Sequence, residues 1–133
     1  IRSALCLGFH YEAEGSYEKS FSYFSICAES NIDIGFFKLG EYYEKGIFVS
    51  VCGEKAVSYY EKAYKLENFD EWDSDLDSLK CLYKLANYYH NNGNNKDASR
   101  IMKYLKSIQA LDEVIEAVRK EKINKIFLRK CEK

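Results

Sequence analysis

Residues 36–43, Phe36-Phe37-Lys38-Leu39-Gly40-Glu41-Tyr42-Tyr43, decide the fold, because their pattern occurs twice more along the chain. Reduced to its recurring positions it reads Phe36-x-x-Leu39-Gly40-x-x-Tyr43. It can be laid over Ala4-x-x-Leu7-Gly8-x-x-Tyr11 and over Leu82-x-x-Leu85-Ala86-x-x-Tyr89. Offsets of three and four put an apolar residue, a Leu, a tiny residue and a Tyr on one face of a helix. A second pattern follows each copy. Ser20-x-x-Tyr23-Phe24-x-x-Cys27 begins twelve residues after Gly8, Ala98-x-x-Ile101-Met102-x-x-Leu105 twelve after Ala86, and Ala56-x-x-Tyr59-Tyr60-x-x-Ala63 sixteen after Gly40. Each unit is therefore a pair of short amphipathic helices. Gly or Ala on the first helix lets the second come close, and Leu, Tyr and Phe fill the space around that contact.

One such hairpin cannot cover both of its faces, whereas three stacked in a row share a continuous core. The expected fold is all-α, an α-solenoid of antiparallel helix pairs. Helices are expected at 2–14, 16–30, 34–45, 54–66, 77–92, 95–106 and 109–130. They form a single helical-repeat domain with repeats at about 1–32, 33–68 and 78–107, an acidic loop at 67–77 and a C-terminal helix within 109–133. The absence of proline suits uninterrupted helices. Gly15, Gly46, Gly53 and Gly93 fall in the breaks, and Asn91-Asn92-Gly93-Asn94-Asn95 is a turn by composition.

The spacing of the first and third copies resembles a tetratricopeptide repeat. The middle copy, Leu39 to Gly46 followed by a longer loop and then Glu54 to Ala63, resembles a Sel-1-like repeat, whose helices are joined by such a loop. The resemblance covers roughly residues 1–105. The chain departs from it where Ile32 stands in place of a frequent proline and where Leu85-Ala86 replaces Leu-Gly. It implies that the first helix of each pair lines a concave surface and that the protein is a scaffold or adaptor without catalytic function. On that surface the partner-binding residues are expected to be Leu5, Phe9 and Glu12 in the first unit and Phe37, Glu41 and Glu44 in the second. In the third they are Lys80, Tyr83, Asn87 and His90. Leu5, Phe37 and Tyr83 occupy equivalent positions and either form an apolar stripe for a docked peptide or pack between neighbouring first helices.

Composition narrows the remaining classes. A net charge of −1 sets up no overall field for nucleic acid or an acidic membrane. No run approaches the roughly 18 apolar residues of a membrane span, and the start does not resemble a signal peptide. The five cysteines, Cys6, Cys27, Cys52, Cys81 and Cys131, are odd in number and contain no C-x-x-C pair. That argues for reduced thiols and a cytoplasmic setting. Beginning at Ile1 with an apolar period already running at Ala4 and Leu7, the sequence reads as part of a longer protein, and a place in a larger complex is a separate expectation about its partners.

Three features invite chemistry. Asp73-Ser74-Asp75-Leu76-Asp77-Ser78 opens like a calcium loop but has Ser78 where glycine is needed and Lys84 where a bidentate carboxylate is needed. It reads as a solvated acidic loop with Asp77 capping the next helix. His10, His90 and the cysteines are not at metal-ligand spacing, so no metal or cofactor is expected. His90 reads as an exposed polar residue and Cys27 as core. The basic C-terminal face, Arg119, Lys120, Lys122, Lys125, Arg129 and Lys130, is a secondary surface for an acidic partner, on a helix whose main task is to cover the open end of the stack. The leading reading is a protein–protein interaction scaffold that holds a peptide or helix on its concave face. An RNA-binding helical repeat and a regulatory, non-catalytic domain of an enzyme complex are the alternatives.

Overall fold

A computed structural model describes residues 2–66 and 76–120, and these are helical with short connections. Seven helices lie among the described residues. They are α1 (Arg2–Ala13), α2 (Tyr17–Glu29), α3 (Asp33–Lys45), α4 (Gly53–Tyr64), α5 (Leu76–Asn91), α6 (Asn95–Ser107) and α7 (Leu111–Arg119). Each expected helix is present, and the first six have both ends within two residues of the expected ones, whereas α7, expected over 109–130, is described as a helix only from Leu111 to Arg119. Residues 121–130 of the expected last helix and 67–75 of the expected acidic loop lie outside the described residues.

Each helix packs on the next in sequence, α3 also meets α5, and α7 turns back onto α5 and α6. The order is that of three hairpins laid down in succession, consistent with a helical solenoid. The recurring tiny residues sit where the hairpins close. A Cβ on Gly8 would lie 2.7 Å from the Phe24 ring, and one on Gly40 would lie 2.5 Å from the Tyr60 ring. Phe24 and Tyr60 hold the same repeat position, so in both units a second-helix ring rests on first-helix backbone. The third unit tolerates Ala86 because its counterpart is the unbranched Met102 rather than a ring, and the two line one hollow between α5 and α6.

A closer approach joins successive hairpins: a Cβ on Gly35 would lie 2.6 Å from the Ala28 backbone nitrogen. Gly46 ends α3 in the left-handed region at φ 72°, donating its N–H to the Tyr42 carbonyl. Asn94 caps α6, its side-chain oxygen accepting from the Asp97 N–H at 3.3 Å. The expected cap Asp77 instead lies inside the first turn of α5, where it meets Lys80 at 3.4 Å.

Phe24, Tyr42, Tyr60, Leu82, Leu85, Ile101, Leu105 and Val114 are fully buried and run as one core through the hairpins into α7. Val114 and Val118 put the apolar stripe of α7 against the last hairpin, which covers its otherwise exposed side. Cys27 is core, as expected, Cys81 is also buried and Cys6 is an exposed thiol. The expectation of reduced thiols is corrected at Cys52, which is disulfide-bonded. Spacing along the chain does not limit which cysteines a fold brings together. Cys131 lies outside the described residues. Among those residues no helix is long and apolar enough to cross a membrane.

Candidate functional site

The residues that the fold gathers most closely lie on α1, α3 and α5, the first helices of the three hairpins. A hollow of about 240 Å³ is lined by Phe9 of α1, by Ile34, Phe37, Lys38 and Glu41 of α3, and by Asp77, Ser78 and Cys81 of α5. Phe9, Phe37 and Glu41 belong to the expected partner-binding set, so the structure brings one residue of the first unit and two of the second to one place.

Phe9 is 42% exposed and stands at the edge of the hollow, held edge-on against Phe24 at 5.3 Å. Phe37 is only 3% exposed and its ring lies against Tyr60 at 6.3 Å. That burial leaves Phe37 unavailable at the surface, where the expected partner-binding role needs it. Leu5 and Tyr83, at the equivalent positions, are half-buried and packed against the core. Phe37 is covered by the second helix of its own hairpin and faces α5 residues across the hollow.

The charged members are engaged inside the protein. Lys38 reaches Glu12 of α1 and Glu41 of its own helix, both at 2.9 Å, and Lys45 meets Glu41 at 3.3 Å. Tyr42 donates to Glu12 at 2.8 Å. Glu44, fully buried, accepts from the Tyr60 hydroxyl and the Lys84 ammonium, each at 2.6 Å. Ion pairs thus tie α1 to α3 and α3 to α5. The expectation that Glu41 and Glu44 face a partner from the surface is corrected, since both carboxylates satisfy buried cations.

These contacts set the proton affinities. Burial alone would push Lys38 down, but the Glu41 carboxylate, with Glu12, outweighs it and holds the ammonium well above the usual lysine range. For Glu41 burial works upward, and Lys38 and Lys45 together overcome it, leaving the carboxyl below its ordinary value. Burial pushes the Cys81 thiol far up, reinforced by the Glu41 charge, so it stays protonated and unreactive near neutral pH. Tyr60 is raised by burial and by the neighbouring Cys81 and Glu44.

The remaining residues do not line this hollow. Lys80 pairs with Asp77. Asn87 and His90 line the separate hollow between α5 and α6, where the exposed His90 has its Nδ1 3.2 Å from the Asn95 side-chain oxygen. Arg119 and Lys120 are exposed, while Lys122, Lys125, Arg129 and Lys130 lie outside the described residues. Asp73 and Asp75 of the calcium-like run also lie outside them, and Lys84 of that run is buried on Glu44. No group of three or more metal-ligating side chains occurs among the described residues.

Sequence reasoning missed Lys38, Lys84, Ser78 and Cys81. A signal existed for the two lysines: each precedes the repeat Leu, at Lys38-Leu39 and Lys84-Leu85, so a charge recurs at a position that the solenoid buries. Compared with protein-family models, curated proteins and solved structures, the chain matches none.

Proposed function

We propose that the chain is an interaction module of the Sel-1-like or tetratricopeptide type that holds a peptide or helix of a partner protein on the face built by α1, α3 and α5. The observation that carries this reading is the hollow shared by those three helices, with Phe9 exposed at its edge and Ile34 and Phe37 in its wall. A side chain entering it would meet apolar surface below and the Asp77 carboxylate, 57% exposed, beside it. Phe9 is already fixed by Phe24 and by the Lys38 ammonium 5.6 Å from its ring centre, so ordering it on binding costs little. An exposed, pre-positioned aromatic beside a pocket is the usual make-up of a binding hot spot.

The test is a photoreactive benzoylphenylalanine at position 9 of the full-length protein, with the same probe at exposed Tyr17 as control. Position 9 is expected to crosslink to a protein partner and position 17 is not. Phe9→Ala is expected to weaken that partnership by about 2 kcal/mol or more. A folded Phe9→Ala variant that binds its partner unchanged would move the interface elsewhere, first to the basic surface around Arg119 and Lys120.

A further inference from the structure

Residues of α2, α3 and α4 line a third hollow, of about 360 Å³, which the reading above does not use. Phe36 and Leu39 of α3 form its buried floor, Tyr59 and Lys62 stand on α4, and Glu29 stands on α2. Tyr59 continues into a row of rings. It lies nearly parallel to Tyr43 at 5.8 Å and to Phe36 at 6.4 Å. Tyr43 meets Phe21 edge-on at 6.1 Å, and Phe21 meets Phe48 at 5.4 Å.

Phe48 ends this row in the loop between α3 and α4. It is 52% exposed with φ 63°, a backbone angle that a bulky residue seldom adopts and keeps only where its surroundings hold it. Lys55 lies over the Tyr43 ring and Lys62 over the Tyr59 ring, each 5.2 Å from the centre. Both lysines are exposed, and neither has a carboxylate partner among the described residues. Two helical turns separate them, so they share one face of α4 and stand about 10 Å apart along its axis. Against these two cations the hollow sets the single carboxylate of Glu29.

The geometry points to a docking surface on α2, α3 and α4 for an extended acidic segment of a partner protein. Two of its carboxylates, three residues apart, would meet Lys55 and Lys62, with an apolar side chain between them lying over the hollow. An extended chain in the polyproline II form has three residues per turn and rises about 3.1 Å per residue, so carboxylates three apart share one side at a spacing close to that of the lysines. The tyrosine faces limit the lysines' freedom, which lowers the entropy lost when they pair. Single-stranded nucleic acid fits less well, because the faces on which bases would stack are covered by ammonium groups.

Chemical-shift mapping of the isotope-labelled full chain tests this with three probes: the peptide Gly-Glu-Phe-Leu-Glu-Gly, its counterpart with lysines for both glutamates, and an oligothymidylate. The acidic peptide is expected to move amide signals of α4 and the Phe48 loop, with affinity falling about tenfold between low and high salt. The double variant Lys55→Gln with Lys62→Gln is expected to lose the response while keeping its helicity. Should that double variant unfold, each single change is expected to remove part of the response. Absence of shifts at millimolar acidic peptide, an equal response to the lysine peptide, a response to the oligothymidylate alone, or unchanged binding by the folded variant would each overturn the proposal.

Discussion

Glu41 shows how a residue that looks like surface becomes interior. It is 8% exposed, lies between Lys38 and Lys45, and has its carboxyl held below the usual range. A depressed carboxyl adds stability that is present above its unfolded pKa and is lost as pH falls through the folded one. Lys38 and Tyr60 are raised, so their contribution is present below their unfolded pKa values and is lost as pH climbs beyond them. Stability should therefore be level near neutral pH, fall in acid below about pH 4, and fall again above about pH 10. Urea midpoints measured across pH check this, and Glu41→Gln is expected to shrink the acid limb. An acid limb of the same depth in that variant would remove Glu41 from the explanation.

At the scale of the elements, glycines set how closely helices approach, and two of them predict different outcomes. A methyl group on Gly8 would press on the Phe24 ring, a side chain and not backbone, while Ala restores roughly 1 kcal/mol of helix propensity. The same change at Gly35 meets the backbone nitrogen of Ala28 and the Cys27 Cβ, which move only if α2 and α3 separate. Gly35→Ala is expected to destabilise by about 1–3 kcal/mol, and Gly8→Ala by distinctly less. Denaturant unfolding of the two variants decides it, and equal losses would show that α2 and α3 yield as easily as a side chain. Gly8 was legible from the repeat. Gly35 was not, because Ser3 and Cys81 hold its place in the other units and a close contact between hairpins leaves no periodic mark.

Across the whole molecule, the hairpins are joined by a few specific links, and the bond from Lys84 to Glu44 is one between the second and third. Lys84→Met leaves a fully buried carboxylate without its cation, at a cost of about 3–5 kcal/mol. In a sequentially packed chain that loss should stay near the joint. Hydrogen exchange is expected to show faster opening of α3 to α6 with α1 little changed, and Glu44→Leu added to Lys84→Met should restore much of the protection. Uniform acceleration along the chain would mean that the hairpins unfold as one unit. The sequence by itself determined the helices, their pairing and the tiny residues at each closure, because those depend on local periodicity. It also put Phe37, Glu41 and Glu44 on one face of α3, at offsets of four and three. Whether they face solvent depends on how near the next hairpin lies, a distance between segments far apart in sequence. Only the tertiary structure decided that Phe37 is core, that Glu41 and Glu44 neutralise Lys38 and Lys84, and that Phe9 is the aromatic left at the edge of the hollow.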